Sequence, residues 1–250
     1  MEQITVIKIG GNVIDNEEVL NAFLQRFAAI EGQKILVHGG GKLASRLQKA
    51  LGQEVQMIDG RRVTDRATLD VVTMVYAGLV NKQIIAKLQA AGCNAIGLSG
   101  ADGNIVRAHR RAAKPIDYGF VGDIDEVDAT MLRNLLEAGL TPVFSAIMHD
   151  GEGTLLNCNA DSVTQAVALG ASQIAPTDLV FCFEKKGVLR DAEDDSSVIE
   201  RITPASYAAL KADGIVSGGM IPKIECCVES VRSGVKSAVI LDGRIEHSIL

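Results

Sequence analysis

Near its start the chain twice repeats an apolar, β-branched run that ends in glycine and passes into a segment of helical period, which restricts the fold more than any other feature. Thr5-Val6-Ile7-Lys8-Ile9-Gly10-Gly11 is the first copy and Lys34-Ile35-Leu36-Val37-His38-Gly39-Gly40-Gly41 the second. Between them Asp15 or Asn16 supplies an N-cap, and Glu17 and Glu18 sit at the end of a helix that favours negative charge. Val19, Phe23, Phe27 and Ile30 recur at helical spacing until Gly32. Strand, helix and strand in that order make a β-α-β unit with parallel strands and a right-handed crossover. A buried strand seldom carries a charge, so Lys8 marks either the open carboxyl end of its strand or an anion held there.

The pattern continues along the chain. After His38-Gly39-Gly40-Gly41-Lys42, the residues Leu43, Leu47, Ala50 and Leu51 mark a helix face. Glu54 to Val63 reads as a hairpin turning at Asp59-Gly60, and it carries Arg61 and Arg62. Thr64 or Asp65 caps a long helical stretch ended by Gly92, apolar on nearly every side, which is either central to the core or covered by another subunit. Its apolar run around Val71 to Val80 is broken by Asn81 and Lys82, and reads as too short for a membrane span. Asn94 to Leu98 and Leu140 to Ile147 read as further strands, with a helix begun by Asp128 between them. The irregular stretch from Asn104 to Asp125, which carries Arg107, Arg110, Arg111 and Lys114, reads as hairpins outside the main sheet. Leu155 to Asp161 leads from a strand into a helix, Asp178 to Phe183 opens a second lobe, and Ser237 to Leu241 is a last strand. The whole is an α/β sandwich on a mainly parallel sheet.

With 250 residues and 47% hydrophobic content the chain can bury a large core as one domain or two joined lobes. A formal charge of −6 argues against a nucleic-acid backbone as partner. Five cysteines, odd in number and without paired spacing, read as reduced core residues of a cytoplasmic protein. Met1-Glu2-Gln3 does not open a signal peptide, and no membrane partner is expected.

In parallel sheets ligands gather beyond the carboxyl ends of the strands. Lys8, the triple glycine, the run Asn157-Cys158-Asn159-Ala160-Asp161 and Lys223 all fall there. Lys223 lies in the first turn of a helix, where the dipole disfavours a cation unless an anion or an acidic partner is near. Gly39, Gly41 and Ala44 fit the dinucleotide pattern G-x-G-x-x-A, but in the second unit and with Lys8 left unexplained. Two lysines, two glycine turns and one organising carboxylate suit phosphoryl transfer better than hydrolysis or redox chemistry. A Mg²⁺ bound mainly through nucleotide oxygens and water needs few protein ligands, and no acidic cage is seen in the sequence.

At these residues the chain resembles the amino acid kinase family. The likeness rests on Lys8-Ile9-Gly10-Gly11, His38-Gly39-Gly40-Gly41, Gly60-Arg61-Arg62-Val63-Thr64, Gly97-Leu98-Ser99-Gly100, Gly119-Phe120-Val121-Gly122, Asn157 to Asp161 and Gly218-Gly219-Met220-Ile221-Pro222-Lys223, in order along almost the whole chain. Within the family it points to the members that phosphorylate an N-acylated glutamate with ATP, in arginine biosynthesis. The resemblance implies a three-layer αβα sandwich. Residues 1–170 would form an amino-terminal lobe for the acyl amino acid and a dimer contact, and 171–250 a nucleotide lobe, within one continuous unit. It implies that Lys8 and Lys223 stabilise the moving phosphoryl group, that Asp161 organises them, and that Gly40, Gly41, Arg62 and Asn157 hold the acyl amino acid. The nucleotide is expected at Gly10, Gly11, Glu184, Lys185, Gly187, Leu189, Val216 and Ser217, and a homodimer through the long helix. Carbamate, glutamate or aspartate kinases, or a silent amino-acid sensor of the same fold, are the alternatives.

The chain departs from the family at two places. Phe183-Glu184-Lys185-Lys186 stands where a small hydroxyl residue, an aspartate and an apolar residue are general, and Ala101 stands where a lysine is common. The first strand begins without the extra helix that marks arginine-inhibited hexamers, so arginine feedback is expected to be absent.

Overall fold

The computed structural model describes residues 3–183, 187–191, 194, 196–216 and 220–244. Along the chain run β1 (Ile4–Ile9), α1 (Gly11–Ile14), α2 (Glu17–Ala29), β2 (Gln33–His38) and α3 (Gly41–Ala50). The hairpin β3 (Met57–Ile58) and β4 (Arg61–Arg62) follows, then α4 (Arg66–Thr73), a π-helical segment (Met74–Val80), α5 (Asn81–Ala90) and β5 (Ala95–Leu98). Next come β6 (Val106–Arg110), β7 (Gly122–Val127), α6 (Ala129–Glu137), β8 (Thr141–Phe144), β9 (Ile147–His149) and β10 (Leu155–Asn157). The remainder is α7 (Ala160–Ser172), β11 (Thr177–Phe183), α8 (Pro204–Ala212), α9 (Met220–Arg232) and β12 (Ser237–Asp242).

Six strands form one sheet in the order β12-β11-β1-β2-β8-β5, and every neighbouring pair is parallel. The expected α/β sandwich on a parallel sheet is present, and β1 lies between β2 and β11. A second sheet, β10-β9-β6-β7, holds the stretch read as lying outside the main sheet. The expected single strand from Leu140 to Ile147 is divided between the two sheets. Ser145 lies between β8 and β9 and is itself buried, with its N–H and hydroxyl both donating to the Leu98 carbonyl.

Each face of the main sheet has its own core. Ile4 and Val6 of β1 pack with residues of α6, α7 and the second sheet, while Ile7 and Ile9 pack with α2, α3 and the long helix. Because strand side chains alternate, Lys8 shares the α7 face with Ile4 and Val6. His38, by the same rule, shares the face of the long helix with Leu36. Phe23 and Phe27 of α2 are fully buried, each contributing about 1.5–3 kcal/mol of apolar burial.

The long helix runs unbroken from Arg66 to Ala90, which corrects the view that its apolar stretch is too short to span a membrane: length and composition alone would allow it. In the fold, Leu69, Val72, Val75, Val80, Ile84 and Leu88 bury one side in the core, while Met74 and Leu79 stay exposed. The expected face of α3 is also revised. Ala44 and Gln48 are its buried residues, Leu43 and Leu47 are partly buried, and Ala50 and Leu51 face solvent. Gln48 is drawn inward by polar partners, since its amide donates to Thr68 Oγ1 at 3.0 Å and its oxygen accepts from Arg62.

Candidate active site

Lys8 is the next-to-last residue of β1, and only 10% of its side chain is exposed. Its ammonium stands 2.9 Å from Asp161 Oδ1. Asp161 is the second residue of α7, whose N-cap Asn159 accepts from the N–H groups of Asp161 and Ser162. That cap fixes the first turn of α7 over the end of β1, on the face to which strand alternation sends Lys8. The carboxylate and the ammonium thus meet because a strand face and a helix start are both set by local sequence.

Lys8, Gly10, Gly11, Asp161 and Lys223 line one cavity of about 400 Å³, together with Phe183 and Arg244. Lys223, in the first turn of α9, places its Nζ 3.5 Å from the centre of the Phe183 ring. Both lysines, the carboxylate and a glycine turn therefore share one pocket. This is an arrangement for a multiply charged anion.

A second cavity, of about 190 Å³, is lined by Gly39, Gly40, Gly41, Arg62, Tyr76, Arg111, Asn157 and Asn159, among others. Gly40 is required here by close approach, because a Cβ on it would lie 2.9 Å from Tyr76 Cδ1. Tyr76 belongs to the π-helical segment, a deviation that often marks functional sites. Burial pushes the Tyr76 phenol up, with the Arg62 guanidinium pulling it the other way.

Arg62 is 7% exposed and turned inward. Its Nη2 donates to the Gly41 carbonyl at 2.9 Å and to Ser45 Oγ at 2.8 Å, and its Nη1 bonds the Gln48 side-chain oxygen. Three of the five guanidinium N–H donors are thus used, and the buried Nε has no hydrogen-bond partner among the described residues. Arg62 holds the hairpin against the glycine turn and lines the cavity beside Tyr76. Asn157 donates from Nδ2 to Thr64 Oγ1 at 3.0 Å, which fixes its amide on the wall.

A wider cleft of about 860 Å³ joins the two cavities: it shares Asp161 and Lys223 with the first and Gly60, Arg61 and Asn159 with the second. The sites for an anion and for a small polar ligand are contiguous.

The model of the amino acid kinase family matches residues 3–242. The chain belongs to this family. It is 52% identical over 239 residues to an acetylglutamate kinase of Bacteroides fragilis, covering 96% of this chain and 92% of that one. An acetylglutamate kinase of Parabacteroides distasonis is 49% identical over 247 residues, covering 99% of this chain and 97% of its own length. Among solved structures, smu.665 from Streptococcus mutans superposes with a TM-score of 0.80 at 29% identity, covering 96% of this chain and 94% of that chain.

For this amino acid kinase the structure brings together Lys8, Gly10, Gly11, Asp161 and Lys223 in one pocket and Gly40, Gly41, Arg62 and Asn157 in the next. The expected nucleotide residues are more scattered. Glu184, Lys185 and Ser217 lie outside the described residues. Gly187 lines an apolar cavity between α9 and β12 and not the lysine pocket. Leu189 bridges Val198, and Val216 is buried in a small cluster with Val188, Leu210 and Ile224. The side chain of Val216 is therefore core, and its N–H donates to the Leu210 carbonyl at 3.1 Å.

Sequence reasoning did not single out Tyr76, Arg111 or Phe183 as wall residues. Arg111 belongs to the basic stretch outside the main sheet, in which Arg107 pairs Glu126 and Arg110 pairs Asp117. It pairs Asp123, which raises the Arg111 pKa and lowers that of Asp123, yet it also lines the smaller cavity with Gly41 and Asn157. Its N–H, just past the end of β6, donates to the Val121 carbonyl at 2.8 Å, a tertiary contact that charge counting does not reveal.

Proposed function

We propose that this protein transfers the γ-phosphate of ATP to the side-chain carboxylate of N-acetyl-L-glutamate, or a related N-acylglutamate, yielding an acyl phosphate and ADP in arginine biosynthesis. The observation that carries this reading is the contiguity of a two-lysine pocket with a glycine, Arg62 and Asn157 pocket. The long relatives named acetylglutamate kinase support it.

The acceptor carboxylate is already ionised at neutral pH, so the reaction needs no general base. One of its oxygens bonds to the γ-phosphorus while the bond to the β–γ bridging oxygen breaks, and that oxygen leaves with the electron pair on ADP. Lys8 and Lys223 offset the charge spread over the transferring oxygens, as preorganised cations do in a site that excludes water. Asp161 keeps Lys8 aimed at the pocket, and Gly10 and Gly11 let backbone approach the phosphates. Gly40, Gly41, Arg62 and Asn157 hold the acylated amino acid. A Mg²⁺ bound mainly through the nucleotide would add positive charge at the transferring oxygens and would need few ligands from the chain.

A cytoplasmic homodimer completes the reading, its contact on the long helix where Met74 is 54% and Leu79 47% exposed. The activity is tested by ADP release with N-acetyl-, N-succinyl- and unmodified glutamate and with carbamate. Faster turnover of carbamate or free glutamate than of N-acetylglutamate would refute the assignment.

A further inference from the structure

Phe183 is within reach of both lysines. Its ring lies 3.5 Å from Lys223 Nζ and 5.2 Å from Lys8 Nζ, both inside the range at which an ammonium is drawn to the negative face of an aromatic ring. The ring is itself stacked on Phe181, with centroids 5.8 Å apart and planes 1° from parallel. Phe181 is fully buried in the core that β11 shares with α7, so the stack is rigid at its base. Register gives the same picture: Leu179, Phe181 and Phe183 alternate onto the face to which β1 sends Lys8, its neighbour through β11.

Two ammonium groups that line one small pocket repel each other, and a phosphate offsets that repulsion only while it is bound. Asp161 faces Lys8 at 2.9 Å, and of the two lysines Lys223 lies nearer the ring, at 3.5 Å against 5.2 Å. From this geometry we infer that Phe183 is a positioning residue for phosphoryl transfer: its π-face holds the Lys223 ammonium at the transfer pocket. The inference rests on the kinase reading above, in which Lys223 meets the transferring group. Phe183 touches the lysines and takes no part in bond making, so its effect reaches the reaction through Lys223. A leucine in its place fills much of the same volume but offers no quadrupole.

The test is steady-state kinetics with ATP and N-acetylglutamate on Phe183→Leu, Phe183→Trp and proteins in which position 183 carries progressively more fluorinated phenylalanines, which empty the π-face at nearly constant shape. Phe183→Leu is expected to lower kcat roughly tenfold with KM for N-acetylglutamate changed by less than about threefold. Phe183→Trp is expected to retain most activity, and log kcat to fall in step with fluorination. In a Lys223→Ala background Phe183→Leu is expected to add little further loss. A flat fluorination series, or an undiminished loss in the Lys223→Ala background, would overturn the inference by showing that the ring acts through packing. Full turnover by Lys223→Ala itself would instead overturn the role of Lys223, and the inference with it. The fluorinated series retains the parent shape, so the result does not depend on Phe183→Leu folding normally.

Discussion

Lys8 of β1 and Asp161 of α7 form an ion pair 2.9 Å long at the carboxyl edge of the sheet, with 10% and 29% of their side chains exposed. An ammonium this buried is costly without a counter-charge. Asp161→Asn keeps the shape and removes the charge. It should lower kcat by roughly 100-fold and stability by about 2 kcal/mol, or roughly 4–8 °C in the thermal midpoint. Kinetics and calorimetry on the same preparation check both, and a variant with parental kcat would remove Asp161 from the organising role.

Lys8→Ala and Lys223→Ala should act on the transition state more than on the bound substrates. Each is expected to reduce kcat by about 100- to 1000-fold while the dissociation constants of ATP and N-acetylglutamate, measured by calorimetric titration, move only a few-fold. Losses confined to binding would mean that the lysines hold ground-state phosphate and nothing more.

Gly40 has no room for a methyl group beside Tyr76. Gly40→Ala should push the glycine turn from the ring and raise KM for N-acetylglutamate about tenfold or more, with KM for ATP nearly unchanged. The double variant Gly40→Ala with Tyr76→Leu should recover part of the loss. A KM effect on ATP of equal size would place the glycine turn in the nucleotide site instead.

His38 is fully buried, and burial pushes its imidazole down to about 4. Its Nδ1 faces the Gly39 carbonyl at 2.8 Å and its Nε2 the Asn81 amide nitrogen at 3.0 Å, so the neutral ring donates on one side and accepts on the other. A second proton would set donor against donor. In the unfolded chain the ring takes up its proton near 6.5, so unfolding binds a proton between about pH 4 and 6.5 and stability falls as pH drops through that window. The full loss is about 3 kcal/mol. Urea unfolding from pH 7 to about pH 4 should show this slope in the parent and a shallower one in His38→Gln.

The strands, glycine turns and helix starts could be read from sequence because each is a local matter. The run from Thr5 to Gly11, Asn16 as a cap for α2, the turn at Asp59-Gly60 and Asn159 ahead of Asp161 are decided within a few residues. What escaped depends on partners distant in the chain. Gln48 is buried on α3 because Arg62 and Thr68 bond it, and the stretch after Leu140 breaks into two sheets at Ser145. Phe183 read as a departure in a nucleotide loop, and only the sheet order reveals that β11 lies against β1 and carries its ring to both lysines. Gly119 is a last instance: at φ +74°, with space for a Cβ only 2.2 Å from the Thr64 carbonyl, it is explained by a bridge between segments that sequence alone does not pair.

The place of β1 between β2 and β11 has a consequence for dividing the molecule. A cut in the connection between α7 and β11 would leave Lys8 and Asp161 on one fragment and Lys223 with Phe183 on the other, and neither piece would own a complete phosphoryl pocket. Each piece would also expose an open sheet edge that is complementary to the other. Split this way, the protein becomes a reporter in which enzymatic turnover returns only when β1 and β11 find each other again.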